Sequence, residues 1–66
     1  MKVSVNNKEM EVEPQTSIQT LTRLLLLPDK GIAIAVNNQM IPRTNWDDYL
    51  LTENVQVVII KAACGG

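Results

Sequence analysis

Apolar and polar residues alternate at the start of the chain. In KVSVNNKEMEVEP, Val3 and Val5 and then Met10 and Val12 are separated by polar positions. This period of two predicts two short strands joined as a hairpin. A two-residue loop at Asn6-Asn7 would set Val5 opposite Lys8. A four-residue loop from Asn6 to Glu9 would set Val5 opposite Met10 and Val3 opposite Val12. The longer loop is the expectation, because it opposes apolar side chains on one face, and a one-residue slip would reverse that face. Pro14 contributes no donor to a ladder and ends the hairpin.

The period then changes. In TSIQTLTRLLLLP, Ile18, Leu21, Leu24 and Leu25 recur at spacings of three and four, while Gln19, Thr20 and Arg23 face away. Thr16 as cap, Gln19 three residues on as in a capping box, and Pro28 beyond the end bound one helix. Leu26 and Leu27 widen the apolar stripe, as a deeply seated helix end or a patch for a partner would; burial is the expectation. Ile32, Ile34 and Val36 form one face of a β-branched strand and Ala33 and Ala35 the other, between Gly31 and Asn37-Asn38. MIPRTNWDDYL predicts a brief extended piece, a turn and one helical turn near Trp46 to Tyr49, with Trp46 anchoring the segment to the core. TEN is a turn. VQVVII is apolar on both faces, as befits a strand inside a sheet.

Two strands, a helix, a strand, an irregular segment and a last strand make an α+β order with no internal repeat. Joining the first strand to the last in parallel through the helical crossover obeys the connection rules and leaves the helix across a mixed sheet. This is the β-grasp (ubiquitin-like) arrangement, with residues 1–66 as one domain and 61–66 as a flexible C-terminal tail.

Composition narrows the function classes. A chain of 66 residues buries only about 60% of the surface of its unfolded form, so its core is small. Hydrophobic residues at 45% and charged residues at 20% are nonetheless those of a folded domain. With one cysteine and no histidine there is no internal disulfide and little from which to build a metal or histidine-dependent site. Neither a secretion signal nor a membrane span is apparent, which makes the cytoplasm the expected location. A net charge of -1 with only Trp46 and Tyr49 as aromatics lacks the footprint of a nucleic-acid binder.

What remains is the end, KAACGG. Two glycines at a given pair of positions arise by chance in about 0.5% of sequences at an average glycine usage of about 7%. Six residues from Lys61 reach roughly 20 Å when extended, and a Gly-Gly end has no Cβ to obstruct a narrow channel. The carboxylate could thus enter another protein's active site. An α-carboxyl with a pKa of about 3.3 to 3.7 is a poor electrophile at neutral pH. Coupling to AMP supplies a leaving group that a sulfur or amine nucleophile then displaces. Such a chain is substrate and carrier rather than catalyst.

The hairpin, the capped helix, AVNNQMIPRTNW, the VQVVII strand and the terminal GG together resemble the ThiS family, the sulfur carriers of thiamine biosynthesis, over the whole chain. The most specific part is VNNQMIPRTNW, similar to that family's Val-Asn-x-x-x-Ile/Val-Pro-Arg-x-x-Trp stretch; the turn TEN departs from the family's usual glycine or acidic turn. The resemblance implies that Gly66, preceded by Gly65, is adenylated by an ATP-dependent activating enzyme (ThiF-like) and converted to a thiocarboxylate. A sulfur donor supplies the atom, which passes to thiazole synthase (ThiG-like). No bound cofactor is implied, ATP being used by the partner, and the free protein is expected to be a monomer.

Other residues carry two readings each. Ala33, Ala35, Val58 and Ile60 would share the sheet face opposite the helix if Ile32, Ile34, Val55, Val57 and Ile59 face inward. That small apolar face is either a docking surface for the activating enzyme or ordinary exposure, or is covered by the MIPRTNWDDY loop. Cys64 is a partner-contacting thiol, able to form an acyl disulfide with another chain's thiocarboxylate or a disulfide to a partner cysteine, or a small tail residue without chemical consequence. Arg43 pairs with Asp47 or Asp48, or with acids on a partner. Asp29, Asp47, Asp48 and Glu53 look like solvated surface. The competing functions are the small subunit of molybdopterin synthase, whose chains tend to be longer and richer in aromatics, a ubiquitin-like modifier joined to a lysine amine, and a plain interaction module with an incidental tail.

Overall fold

The computed structural model describes residues 1–28 and 30–61. β1 (Lys2–Val5) and β2 (Lys8–Glu11) form the hairpin; α1 (Ile18–Leu24), β3 (Ile32–Val36), β4 (Gln39–Met40), a 3-10 turn (Arg43–Asn45) and β5 (Gln56–Lys61) follow. The sheet order is β2-β1-β5-β3-β4, with β5 parallel to β1 and antiparallel to β3. The last strand is therefore central and α1 is the crossover, as the element order implied. β5 includes Lys61, opposite Ile32, one residue into the segment expected as tail. The rest of that tail, residues 62–66, lies outside the described residues.

The hairpin register corrects the sequence expectation. Val3 faces Met10 and Val5 faces Lys8, so the loop is the two residues Asn6 and Asn7. The two candidate registers differ by two residues and leave the same side chains on the same face, so apolar patterning cannot choose between them. Turn geometry does. Asn6 and Asn7 have φ of 50° and 70°, the pair of left-handed residues of a type I′ turn, whose twist matches that of the strands it joins. Asn37 (51°) and Asn38 (69°) join β3 to β4 in the same way.

The helix cap is also displaced by one residue. Ser17, not Thr16, is the N-cap: its Oγ accepts the Thr20 N–H at 3.1 Å, while the Thr16 hydroxyl donates to the Glu13 carbonyl at 2.6 Å. Gln19 then stands one position too early for a capping box. Its N–H donates to Trp46 O (3.1 Å) and that of Ile18 to Tyr49 O (3.0 Å). The first three helical N–H groups, which no helix can satisfy from within, are thus satisfied by one side chain and the 46–49 segment. A helix of seven residues is too short to persist alone, and this junction holds its start.

Its other end breaks with the expected burial of the leucine run. Leu26 has φ 56°, and the Leu27 and Leu26 N–H groups donate to Thr22 O and Arg23 O. This is a Schellman closure with leucine where glycine is usual. The backbone reversal turns Leu26 to solvent at 90% exposure, and Leu24, within the helix, is 58% exposed, while Leu25 packs against the core and Leu27 is half-buried. Inside, Ile18 and Leu21 of α1 meet Val3, Ile34, Val36 and Val57 of the sheet, all nearly inaccessible to solvent.

Leu26→Gly should stabilise the domain. It removes a left-handed leucine, which costs about 1 kcal/mol, and gives up almost no buried surface. Thermal denaturation should show a rise of about 4–8 °C, and an unchanged or lower midpoint would contradict the origin assigned to the closure.

Candidate functional site

The family-like segment QMIPRTNWDDYL folds in two parts. Gln39 and Met40 pair with Val36 and Ala35 as β4. The chain then dips into the core at Ile41, and Pro42, with φ -60°, opens the 3-10 turn at Arg43–Asn45. The 3-10 turn begins three residues before the expected helical turn and runs on into it, the Asp48 and Tyr49 N–H groups both donating to Asn45 O (3.1 and 2.9 Å). Trp46 is 2% exposed and its Nε1–H donates to Ile41 O at 2.9 Å, so it anchors the segment as its sequence suggested. Arg43 makes no ion pair with Asp47 or Asp48. Its guanidinium instead lies 4.7 Å from the centroid of the Trp46 ring, where the ring face attracts the cation and neither aspartate is needed to hold it. Asp47 and Asp48 are solvated; Glu53 is more than surface, since its carboxylate accepts the Lys2 N–H at 2.8 Å and ties the turn before β5 to the start of β1.

The open face of the sheet is built by register. Ala35 lies opposite both Met40 and Val58, and Ala33 opposite Ile60, so these five side chains share the face turned away from α1. Met40 is 56%, Val58 40% and Ile60 48% exposed. Ala35, flanked by two larger side chains, is buried, while Ala33 is half-buried. The structure thus brings Ala33, Ala35, Val58 and Ile60 together and adds Met40, which the sequence reading had placed in a covering loop. The available signal was the Asn37-Asn38 pair, whose two-residue turn sets Met40 opposite Ala35. The rest of that loop packs on the helix side through Ile41 and Trp46 and leaves this face open.

β5 carries the chain toward its end between two unequal supports. β3 pairs with it through Lys61, but β1 accompanies it only as far as Val57. A cleft beside its last residues is lined by Val5, Met10, Leu25, Leu27 and Ile59, with Lys8 and Lys61 at its rim. Gly65, Gly66 and Cys64 lie outside the described residues. Among the described residues, no group of acidic or thiol side chains is placed to hold a metal ion, and no helix is long and apolar enough to cross a membrane.

Trp46→Phe should remove the donor to Ile41 O and leave a void. The expected loss is about 2–4 kcal/mol, with a lower melting midpoint and faster exchange of the Gln19 amide, which bonds to Trp46 O. A melting curve unchanged within error would show that the segment is held by other contacts.

Comparison with known proteins agrees with this geometry. The family model described as the ThiS family matches residues 3–66. The sulfur carrier protein ThiS of Escherichia coli is 24% identical over 66 residues, with 100% of each chain covered. A solved structure, the thiamine biosynthesis protein (ThiS) of Geobacter metallireducens, aligns with a TM-score of 0.86 over 100% of both chains at 19% identity, which shows the same β-grasp fold. With all but the first two residues matched by the family model, the chain belongs to the ThiS family.

Proposed function

We propose that this protein is a sulfur carrier for thiazole formation in thiamine biosynthesis, acting as co-substrate of partner enzymes. The observation that carries the reading is the family match, which runs from residue 3 through the glycine pair at 65–66. The name of the Escherichia coli relative supports it. In this reading a Gly66 carboxylate oxygen attacks the α-phosphorus of ATP on an activating enzyme and pyrophosphate leaves. Sulfide then attacks the acyl carbon and AMP departs, leaving a thiocarboxylate whose sulfur passes to thiazole synthase. Gly65 and Gly66 serve by lacking side chains, which lets the tail thread a narrow site. Cys64 has no required part. The family match favours this reading over a molybdopterin synthase subunit, a protein modifier or a plain interaction module.

The open face of Ala33, Ala35, Met40, Val58 and Ile60 is the proposed docking surface for the activating enzyme. Contiguous apolar exposure of this kind on a small domain suits a partner. It also lies on the strand that leads to the tail.

Mass spectrometry of the C-terminal peptide after incubation with ATP, sulfide and the activating enzyme tests the chemistry. Sulfur substitution has the same nominal mass change as oxidation of methionine or Cys64, so fragmentation must locate it. Sulfur on Gly66 is the expected result, also in Cys64→Ser; an unmodified Gly66 with a competent enzyme overturns the reading. For the surface, Ile60→Asp should lower kcat/KM for adenylation by about tenfold or more, as loss of a central apolar contact does, with circular dichroism and melting little changed. Full activity in a folded Ile60→Asp protein would place docking elsewhere.

A further inference from the structure

The backbone of β1 ends at Val5, yet its pairing with β5 continues for one more rung made by a side chain. The Asn6 N–H donates to Val57 O at 2.9 Å, which is the last backbone bond between the two segments. Beyond it, the Asn6 carboxamide faces Ile59: Oδ1 accepts the Ile59 N–H at 2.8 Å and Nδ2 donates to the Ile59 carbonyl at 3.4 Å. One amide side chain thus offers an acceptor and a donor to the two backbone groups of one residue, as a neighbouring strand would. The turn makes this possible. With φ at 50° Asn6 has left the strand, and its short side chain reaches forward along the free edge of β5. Ile59 lies two residues before Lys61, where the described strand ends.

We propose that Asn6 is a positioning residue: its carboxamide clamps Ile59 and so fixes the direction of β5 at Lys61, five residues before Gly66. The role in sulfur transfer rests on the carrier reading above. Without the clamp, β5 beyond Val57 is held along one edge only, by β3. The end of β5 at Lys61 then samples more than one direction, and the fraction of molecules that present it correctly to the activating enzyme falls, which lowers apparent affinity by that fraction.

Asn6→Gly isolates the clamp, because glycine accepts the left-handed turn conformation while removing the carboxamide. Asn7→Gly is the control, altering the turn and leaving the clamp in place. Hydrogen exchange on the free protein should show the Ile59 amide opening about tenfold faster in Asn6→Gly, as expected for one lost hydrogen bond at a strand edge. The Ser4 amide, bonded to Val55 O, should keep its rate. In adenylation assays KM should rise about three- to tenfold with kcat retained, in line with a smaller competent fraction, while Asn7→Gly matches the parent in both measurements. Unchanged Ile59 exchange overturns the clamp. Faster exchange with unchanged KM overturns its positioning role, as does an equal effect from Asn7→Gly. A parent protein that is not adenylated overturns the carrier reading and the positioning role with it, while the exchange arm still decides whether Asn6 clamps Ile59.

Discussion

The parallel contact between β1 and β5 is the constraint on which this domain depends. It joins Ser4 to Gln56 and Val5 to Val57, residues more than fifty positions apart, so the contact closes nearly the whole chain into one loop. Closing so long a loop is entropically costly, and only two residue pairs repay it by backbone pairing. The remaining return comes from burial. Val3 and Val57, on adjacent strands, meet Ile18 and Leu21 from the crossover helix and Ile34 and Val36 from β3. Once β5 is seated between β1 and β3, it has neighbours on both edges and no part of its first half is free to pair with another chain.

The helix is stabilised by the same economy of contacts. Seven residues nucleate poorly, and three of the first amide donors would be unpaired without Ser17 and the carbonyls of Trp46 and Tyr49. The 41–51 segment is therefore structural first. Trp46 is buried beneath Arg43, bonds to Ile41 and offers its own carbonyl to the helix. A segment of low regularity thereby fixes the start of the helix, which in turn covers one face of the sheet. The opposite face is left open, and its apolar character follows from Ala33 and Ala35 of β3, Met40 of β4 and Val58 and Ile60 of β5 standing at paired positions.

Much of this was legible in the chain itself. The alternation of Val3 and Val5, the three-and-four spacing of Ile18, Leu21, Leu24 and Leu25, and the doubly apolar VQVVII determined element types, their order and the central place of the last strand, because burial imposes a period on sequence that depends only on local geometry; Leu24, on the expected stripe, is nonetheless exposed. Trp46 as an anchor, and Ala33, Ala35, Val58 and Ile60 as a shared face, follow from the same rule. The glycine pair and its chemistry are likewise properties of residue type and not of packing.

Other features were decided only by the tertiary structure. Two hairpin registers differing by two residues present identical faces, so the choice fell to the left-handed geometry of Asn6 and Asn7. Thr16 and Ser17 are both competent caps, and Ser17 prevails because carbonyls from Trp46 and Tyr49 receive the next two amides. Leu26 reads as part of an apolar stripe, yet the Schellman closure turns it to solvent. Arg43 finds an aromatic face in place of a carboxylate, and the Asn6 side chain reaches Ile59 across 53 positions of sequence. The register and the leucine closure are set by left-handed backbone geometry that apolar patterning does not encode, while the cap and the Asn6 contact are set by partners distant in the chain, which only the folded arrangement brings near.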